Sequence, residues 1–272
     1  MRILCLHGTG LNSSIFAAQT ARLRDLLPTN YTYEWIDGPH QVEPPRLIAD
    51  AHSGPYLSYM ESLTTEGVAD AIDALEALIQ EKGPFDGAMG MSQGAMLIAA
   101  LLIRRQMNAR PNPVRFAIFI AGILPLSWTV SIGQAVDDVR GWRPPLVTKD
   151  PSCEWLRECG QVRCFNPGVY GERLNLPTVH VWGRGDGLRK QAEMMVRLCN
   201  PDLVGSYQHT GGHQVPQPWS DNEAVSEMIR EAVMRKLIDG MAVMTYKTAA
   251  AETQAILEKK PRNTIQDAGM AS

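Results

Sequence analysis

The segment from Phe85 to Arg105 constrains this chain more than any other. A short apolar run, Phe85 to Gly90, leads into Gly90-Met91-Ser92-Gln93-Gly94, and the helix expected next, Gln93 to Arg105, is apolar almost all round. A helix without a polar face must be covered on every side, and a strand that hands over directly to it sets that helix against a sheet. The pattern G-x-S-x-G alone is a modest signal, because five-residue matches arise by chance. Between a strand and a buried helix it carries more. The sharp turn strains the serine backbone and exposes its Oγ, the two glycines relieve crowding, and the helix N-terminus offers amide donors to developing negative charge. Ser92 is therefore the candidate nucleophile, set against the plainer reading of a serine in an ordinary turn.

The remaining pattern supplies the sheet. Arg2 to Leu6 has the length and composition of a buried strand and stops at His7-Gly8-Thr9-Gly10. A helix is expected over Ser14 to Leu27, limited by Pro28, and a second strand over Tyr31 to Ile36. His40 to Thr64, broken by prolines, reads as a long loop with room for a short helix. Val68, Ala71, Ile72, Leu75, Leu78 and Ile79 then trace one helical face. Further strands are expected over Arg115 to Ala121, Pro177 to Trp182 and Val204 to His209, with a helix over Leu188 to Leu198. A last core helix opens at Ser220 with Glu223 completing a capping box and runs through Leu237. Strand–helix alternation of this kind argues for βαβ units, an α/β class and a mostly parallel central sheet flanked by helices. It lapses over 123–175, an irregular insertion and possible lid, with short helices expected at Ser131 to Val139 and Cys153 to Glu158. One catalytic domain over 1–240 is the economical division. The tail, 241–272, holds a possible helix near Thr248 to Glu258 and is expected to be disordered after Pro261.

Composition removes several classes. A net charge of −3 and a pI near 6.1 do not give the basic surface that nucleic acid binding favours. The longest apolar run, Ala95 to Ile103, is nine residues, far short of the ~20 that a membrane helix needs. Met1-Arg2 is followed by too few apolar residues for a secretory signal. Five cysteines, with Cys153, Cys159 and Cys164 outside any paired C-x-x-C spacing, fit neither a disulfide scaffold nor a metal motif. A reducing, cytoplasmic location and a chemistry without metal or cofactor are the expectation.

A serine hydroxyl needs a base, and the base an orienting acid. His213, in Gly211-Gly212-His213 beyond a late strand, is the best base; His209, at that strand's end, is its rival. Asp186, in Gly183-Arg184-Gly185-Asp186-Gly187, is the best acid, with Asp137, Asp138 and Asp150 in the irregular stretch as competitors. The order Ser92, Asp186, His213 is that of α/β-hydrolases, each member following a predicted strand. His180, inside a strand, reads as a core histidine. The amide of Gln93 and that of Thr9, in the loop after the first strand, are the expected oxyanion donors. His7 reads as a loop-stabilising residue, and Asn12 as either a pin for the same loop or a simple turn residue.

Several stretches together resemble one family. They are Leu6-His7-Gly8 with Asn12, Asp37-Gly38-Pro39-His40, Phe85-Asp86-Gly87 through Gly90-Met91-Ser92-Gln93-Gly94-Ala95, Pro177 to Gly183 with Asp186, and His209-Thr210-Gly211-Gly212-His213-Gln214-Val215-Pro216. The chain resembles the fungal-type serine hydrolase family, which includes relatives of the ovarian-tumour-associated hydrolase and thioesterases encoded beside fungal polyketide synthases. The match covers roughly Arg2 to Leu237. It implies an α/β-hydrolase fold and cleavage of a small-molecule ester or acyl thioester through an acyl-enzyme. It also raises release of an acyl or polyketide chain from an acyl carrier protein. A carboxylesterase, an acyltransferase or cyclase using the same residues, and a non-catalytic binding scaffold are the alternatives. Met91 stands where an aromatic residue is common in such elbows and is itself a candidate pocket residue. The stretch Trp128 to Tyr170 is longer than the family minimum, and Trp128, Trp142, Trp155, Phe165 and Tyr170 either line an apolar substrate pocket or form the core of that insertion.

Overall fold

A computed structural model describes residues 1–44, 46–139 and 162–235, with backbone alone at 46 and 47. In chain order its strands are β1 (Arg2–Leu6), β2 (Thr32–Ile36), β3 (His40–Gln41), β4 (Leu57–Ser58), β5 (Gly87–Met91), β6 (Phe116–Ile120), β7 (Gln134–Ala135), β8 (Arg163–Cys164), β9 (Thr178–Gly183) and β10 (Val204–His209). Six of them form one sheet in the order β10-β9-β6-β5-β1-β2. Every pairing in it is parallel, with Leu6 opposite Gly90 and Gly90 opposite Phe119.

The strands are short and apolar because both faces are covered, and their two-residue period sorts side chains between two cores. Leu4, Leu6, Ala88, Ala117 and Phe119 point into one. Ile3, Cys5, Met89, Ile118 and Ile120 point into the other. The first core is closed by α4 (Thr65–Lys82) and α5 (Gln93–Met107). Thr64 caps α4 by accepting the Gly67 N–H at 3.0 Å, and Val68, Ala71, Ile72 and Leu75 turn inward. Arg104 and Arg105 of α5 reach Glu76 of α4 at 2.7 and 2.9 Å, which holds the two helices side by side. The second core is closed by α1 (Ser13–Gln19), α2 (Ala21–Asp25) and the helix at 219–235. The short α3 (Arg46–Ala51) and α6 (Arg189–Val196) complete the described helices.

This is the α/β arrangement with a parallel central sheet expected from the alternation, and the α/β-hydrolase fold that the resemblance implies, with several local corrections. The helix expected over Ser14 to Leu27 is broken at Thr20, whose buried Oγ1 bonds back to the Phe16 and Ala17 carbonyls and competes with helix continuation. Ser131 to Val139 is not a helix. It holds β7 and a 3-10 turn, Val136–Asp138, because β7 pairs with β8 across the insertion and Val136 N–H bonds to Val162 O. The Ser220 capping box does not form: the last helix already includes 219, and Glu223 accepts the Trp219 indole N–H at 2.9 Å. The loop from His40 to Thr64 contains the β3–β4 pair as well as α3.

Within the insertion, Phe165 is fully buried, with the Trp128 ring centred 5.4 Å away and the Tyr170 ring 5.1 Å away. Trp142, Trp155, Asp150, Cys153 and Cys159 lie outside the described residues, as do the helices expected at Cys153 to Glu158 and Thr248 to Glu258. The compact unit carrying the sheet runs from Met1 to Val233. No helix among the described residues is long and apolar enough to cross a membrane.

Candidate active site

The strand order reverses between β1 and β5: the chain steps from β1 outward to β2, then crosses to β5 and proceeds the other way. In open parallel sheets such a switch point leaves a crevice beyond the carboxyl ends of the two strands. Ser92 follows β5 directly at this point, and Gly8 follows β1, so close that a Cβ on Gly8 would lie 3.3 Å from the Ser92 Cβ.

Ser92 has φ 50° and ψ −111°, in the left-handed half of backbone space that residues with a Cβ avoid. Such a conformation costs roughly 1–3 kcal/mol and persists only where its surroundings over-determine it. Here its N–H bonds to Ile120 O at 2.9 Å and its carbonyl accepts from Met96 N at 3.0 Å. The flanking glycines make the turn possible. A Cβ on Gly90 would sit 2.5 Å from Ala95 N, and one on Gly94 would meet the Leu6 and His7 carbonyl oxygens.

His213 and Asp186 converge on Ser92 from two further loops. Gly183 ends β9 with no room for a side chain, since a Cβ there would strike the carbonyl oxygens of Gly211 and Gly212. That contact, with Arg184 N to His209 O at 2.7 Å and Gly185 N to Gly211 O at 2.9 Å, laces the two loops together. In consequence His213 Nδ1 lies 2.9 Å from Asp186 Oδ2, and His213 Nε2 lies 2.9 Å from Ser92 Oγ. Asp186 Oδ1 accepts the Leu188 N–H at 2.7 Å, so both its oxygens are engaged and its plane is fixed. With Nδ1–H given to the carboxylate, Nε2 is left to accept the serine proton. The Asp186 side chain is 1% exposed and that of His213 25%, so the acid is sealed below while the imidazole faces the crevice.

The rival residues occupy other positions. His209 is buried at the base of the same loop, accepting the Gly211 N–H on Nδ1 at 3.1 Å, and burial lowers its pKa. His180 lies in the core against the Phe119 ring and Thr178 Oγ1, its pKa lowered to about 3 by burial. Asp137 and Asp138 belong to the 3-10 turn of the insertion. His7 gives Nδ1–H to the Gly8 carbonyl at 2.7 Å and accepts the Gly38 N–H on Nε2 at 3.0 Å, which ties the loop after β1 to the loop after β2. Burial lowers its pKa, in keeping with a neutral ring. Asn12 caps α1 through Ile15 N–H and donates to Pro55 O, both at 2.8 Å.

Gln93 stands at the first turn of α5, where backbone N–H groups have no partner within the helix. Its side chain is turned away from Ser92: Oε1 accepts from Tyr59 N at 2.9 Å and Nε2 donates to Ser58 Oγ at 2.9 Å. Thr9 lies in the loop across from it, anchored where Gly10 N bonds to Leu57 O and Leu57 N to Leu11 O. Tyr59 also accepts the His7 N–H at 2.9 Å on its hydroxyl and donates to Ile36 O at 2.8 Å. Burial pushes its phenol well above the ordinary value, so it remains a donor. Ser58 and Tyr59 carry no signal in the sequence beyond an aromatic residue in a proline-rich loop. Met91, expected as a pocket residue, instead packs in the core on the α1 side of the sheet, because its strand position points it among Ile15, Phe16 and Ile118, and Trp128, Phe165 and Tyr170 pack with one another on the opposite side.

A family model described as "Serine hydrolase (FSH1)" matches residues 1–225. An esterase of Fusarium mangiferae, FPY3, is 32% identical over 246 residues, covering 88% of this chain and 100% of its own. The esterase alnB of Emericella nidulans is 26% identical over 264 residues, covering 82% and 93%. Among solved structures, a carboxylesterase of Bacillus cereus superposes with a TM-score of 0.50 at 15% identity, over 85% of this chain and 87% of that one. That likeness concerns the fold.

Proposed function

The chain belongs to the serine hydrolase (FSH1) family, and from that premise we propose that Ser92 is its nucleophile, His213 its general base and acid, and Asp186 the residue that orients His213. The observation carrying this reading is the unbroken relay from Ser92 Oγ through His213 to Asp186, with both links at 2.9 Å. As Oγ attacks an ester or thioester carbonyl, its proton passes to Nε2. The imidazolium is stabilised by Asp186, and the carbonyl oxygen acquires the negative charge. The backbone amides of Gln93 and Thr9 face that charge, the first reinforced by the N-terminal end of α5. His213 next protonates the departing alcohol or thiol and then deprotonates the water that clears the acyl-enzyme. No step calls for a metal or cofactor.

The chain is an esterase-type hydrolase, and small-molecule esters are its substrate class. The finer reading is release of an acyl or polyketide chain from a carrier-protein thioester, which rests on the resemblance of its motifs to fungal pathway thioesterases. In this reading the partly exposed Trp128 and Tyr170, backed by the buried Phe165, give that chain an apolar surface. Intact mass after treatment with a fluorophosphonate tests the first part: one adduct on the wild type, none on Ser92→Ala, and much slower addition to His213→Ala. A folded wild type that takes no adduct overturns it. One acyl group offered as oxygen ester, free thioester and carrier-bound thioester tests the second. Carrier release requires the highest kcat/KM for the carrier-bound form, and equal values for all three refute it.

A further inference from the structure

A cavity of about 400 Å³ opens where the ends of β1 and β2 meet α4, and its lining includes none of Ser92, Asp186 and His213. Its floor is apolar, formed by the buried side chains of Leu6, Tyr59, Leu75 and Leu97. Its rim is of the opposite character. The exposed residues Asp37, Glu61, Glu66 and Asp70 line it together with the partly buried His40, and no lysine or arginine does. The volume lies within the range of small-molecule sites, which combine an apolar body with a few polar groups that fix orientation.

The four carboxylates are not equivalent. Asp37 Oδ1 is occupied by the Ser13 N–H at 2.7 Å. Glu66 accepts from Thr65 Oγ1 at 3.1 Å and stands in the first turn of α4, where an acid serves the helix itself. Glu61 and Asp70 have no ion pair or hydrogen bond among the described residues. Two carboxylates are therefore free at the mouth of an apolar cleft. A neutral hydrocarbon would fill the floor and leave them unused. An anionic amphiphile, including the free acid that ester hydrolysis releases, would set its charge against four of the same sign.

We propose that this cavity binds a small amphipathic cation, with its hydrocarbon body against Leu6, Tyr59, Leu75 and Leu97 and its ammonium group between Glu61 and Asp70. The site is separate from the catalytic relay and does not rest on the assignment of Ser92. Tyr59 belongs to both places: its side chain lines the cavity, and its backbone N–H holds the Gln93 side chain at 2.9 Å.

Titration calorimetry with n-octylammonium, octanol and octanoate on the full chain tests the proposal. Octylammonium binds with 1:1 stoichiometry and more tightly than either of the others, and its affinity falls as salt screens the rim. The double variant Glu61→Gln/Asp70→Asn weakens octylammonium about three- to tenfold, the scale expected for two exposed ion pairs, and leaves octanol unchanged. Binding persists in Ser92→Ala and after fluorophosphonate addition, so failure of the catalytic assignment leaves this result intact. Octylammonium binding no tighter than octanol, or unaffected by the double variant, overturns the proposal. So does its loss on phosphonylation, which would place the cation in the catalytic crevice.

Discussion

Gly94 packs on the end of β1 so closely that a Cβ would lie 2.7 Å from the carbonyl oxygen of His7, and nearer still to that of Leu6. Backbone rather than a flexible side chain blocks the space, so Gly94→Ala must push α5 away from β1. Overpacking of this kind costs roughly 1–3 kcal/mol, read as a lower urea midpoint. The same shift moves the Gln93 amide relative to the loop at Thr9. A displacement near 1 Å in a reacting site can cost ~10²-fold, and kcat/KM for an activated ester should fall by that order while the variant still folds.

Asp186→Asn gives a sharper test of the relay. The asparagine oxygen can keep the Leu188 N–H bond now made by Oδ1, which turns its NH2 toward His213 Nδ1. That nitrogen must then accept, Nε2 carries the proton, and the base facing Ser92 is lost. Loss of the correct tautomer is worth about 10⁴-fold in kcat in enzymes with this arrangement. The expected outcome is a fall of that order with KM little changed, and a variant within tenfold of wild type would refute the role given to Asp186.

Gln93→Ala separates side chain from amide. Truncation removes the acceptor for Tyr59 N and both bonds with Ser58 Oγ, leaving buried polar groups unpaired at a cost of about 1–3 kcal/mol. The backbone donor remains. Thermal unfolding should shift down by several degrees while kcat falls far less than in Ser92→Ala. Equal losses in the two variants would assign the Gln93 side chain itself a place in the chemistry.

Acid should destabilise the fold through His180. Its pKa is lowered by burial from 6.5 to about 3, so between those values the unfolded chain binds a proton that the folded chain refuses. Stability is therefore full above pH 6.5 and is lost as pH falls toward 3. From pH 7.5 to pH 5 the loss from this one group is about 2 kcal/mol. His7 and His209 shift in the same direction. Urea unfolding at the two pH values should show a smaller difference in His180→Gln than in the wild type.

The large features were legible because each rests on local chemistry. β1, β5, β6 and β9 are apolar runs too short to be helices, and the G-x-S-x-G turn announces a strand that becomes a helix. Asp186 and His213 each follow a predicted strand at the same sheet edge, and the structure brings His213 within 2.9 Å of both Asp186 Oδ2 and Ser92 Oγ. What could not be read depends on partners distant in sequence. Thr20 breaks a helix through a side-chain bond that a pattern of apolar residues does not reveal. β7 exists only because β8, some thirty residues later, lies opposite it. Ser58 and Tyr59 hold Gln93 and His7 across intervals of 34 to 52 residues, and nothing in their own neighbourhood marks them.

The excursion between β6 and β9 leaves the sheet after Ile120 and returns at Thr178, on strands that are immediate neighbours. Because the two strands are parallel and Ala117 lies opposite Thr178, its stems sit at opposite ends of the pair, about 10 Å apart along the strands, a span the excursion must cross whatever its length. Lengthening such a closed detour adds little entropic cost, roughly 0.6 kcal/mol for each doubling. The scaffold can thus vary the length of this segment while the turn at Ser92 and the laced loops of Asp186 and His213 stay as they are. Divergence among relatives should be concentrated there.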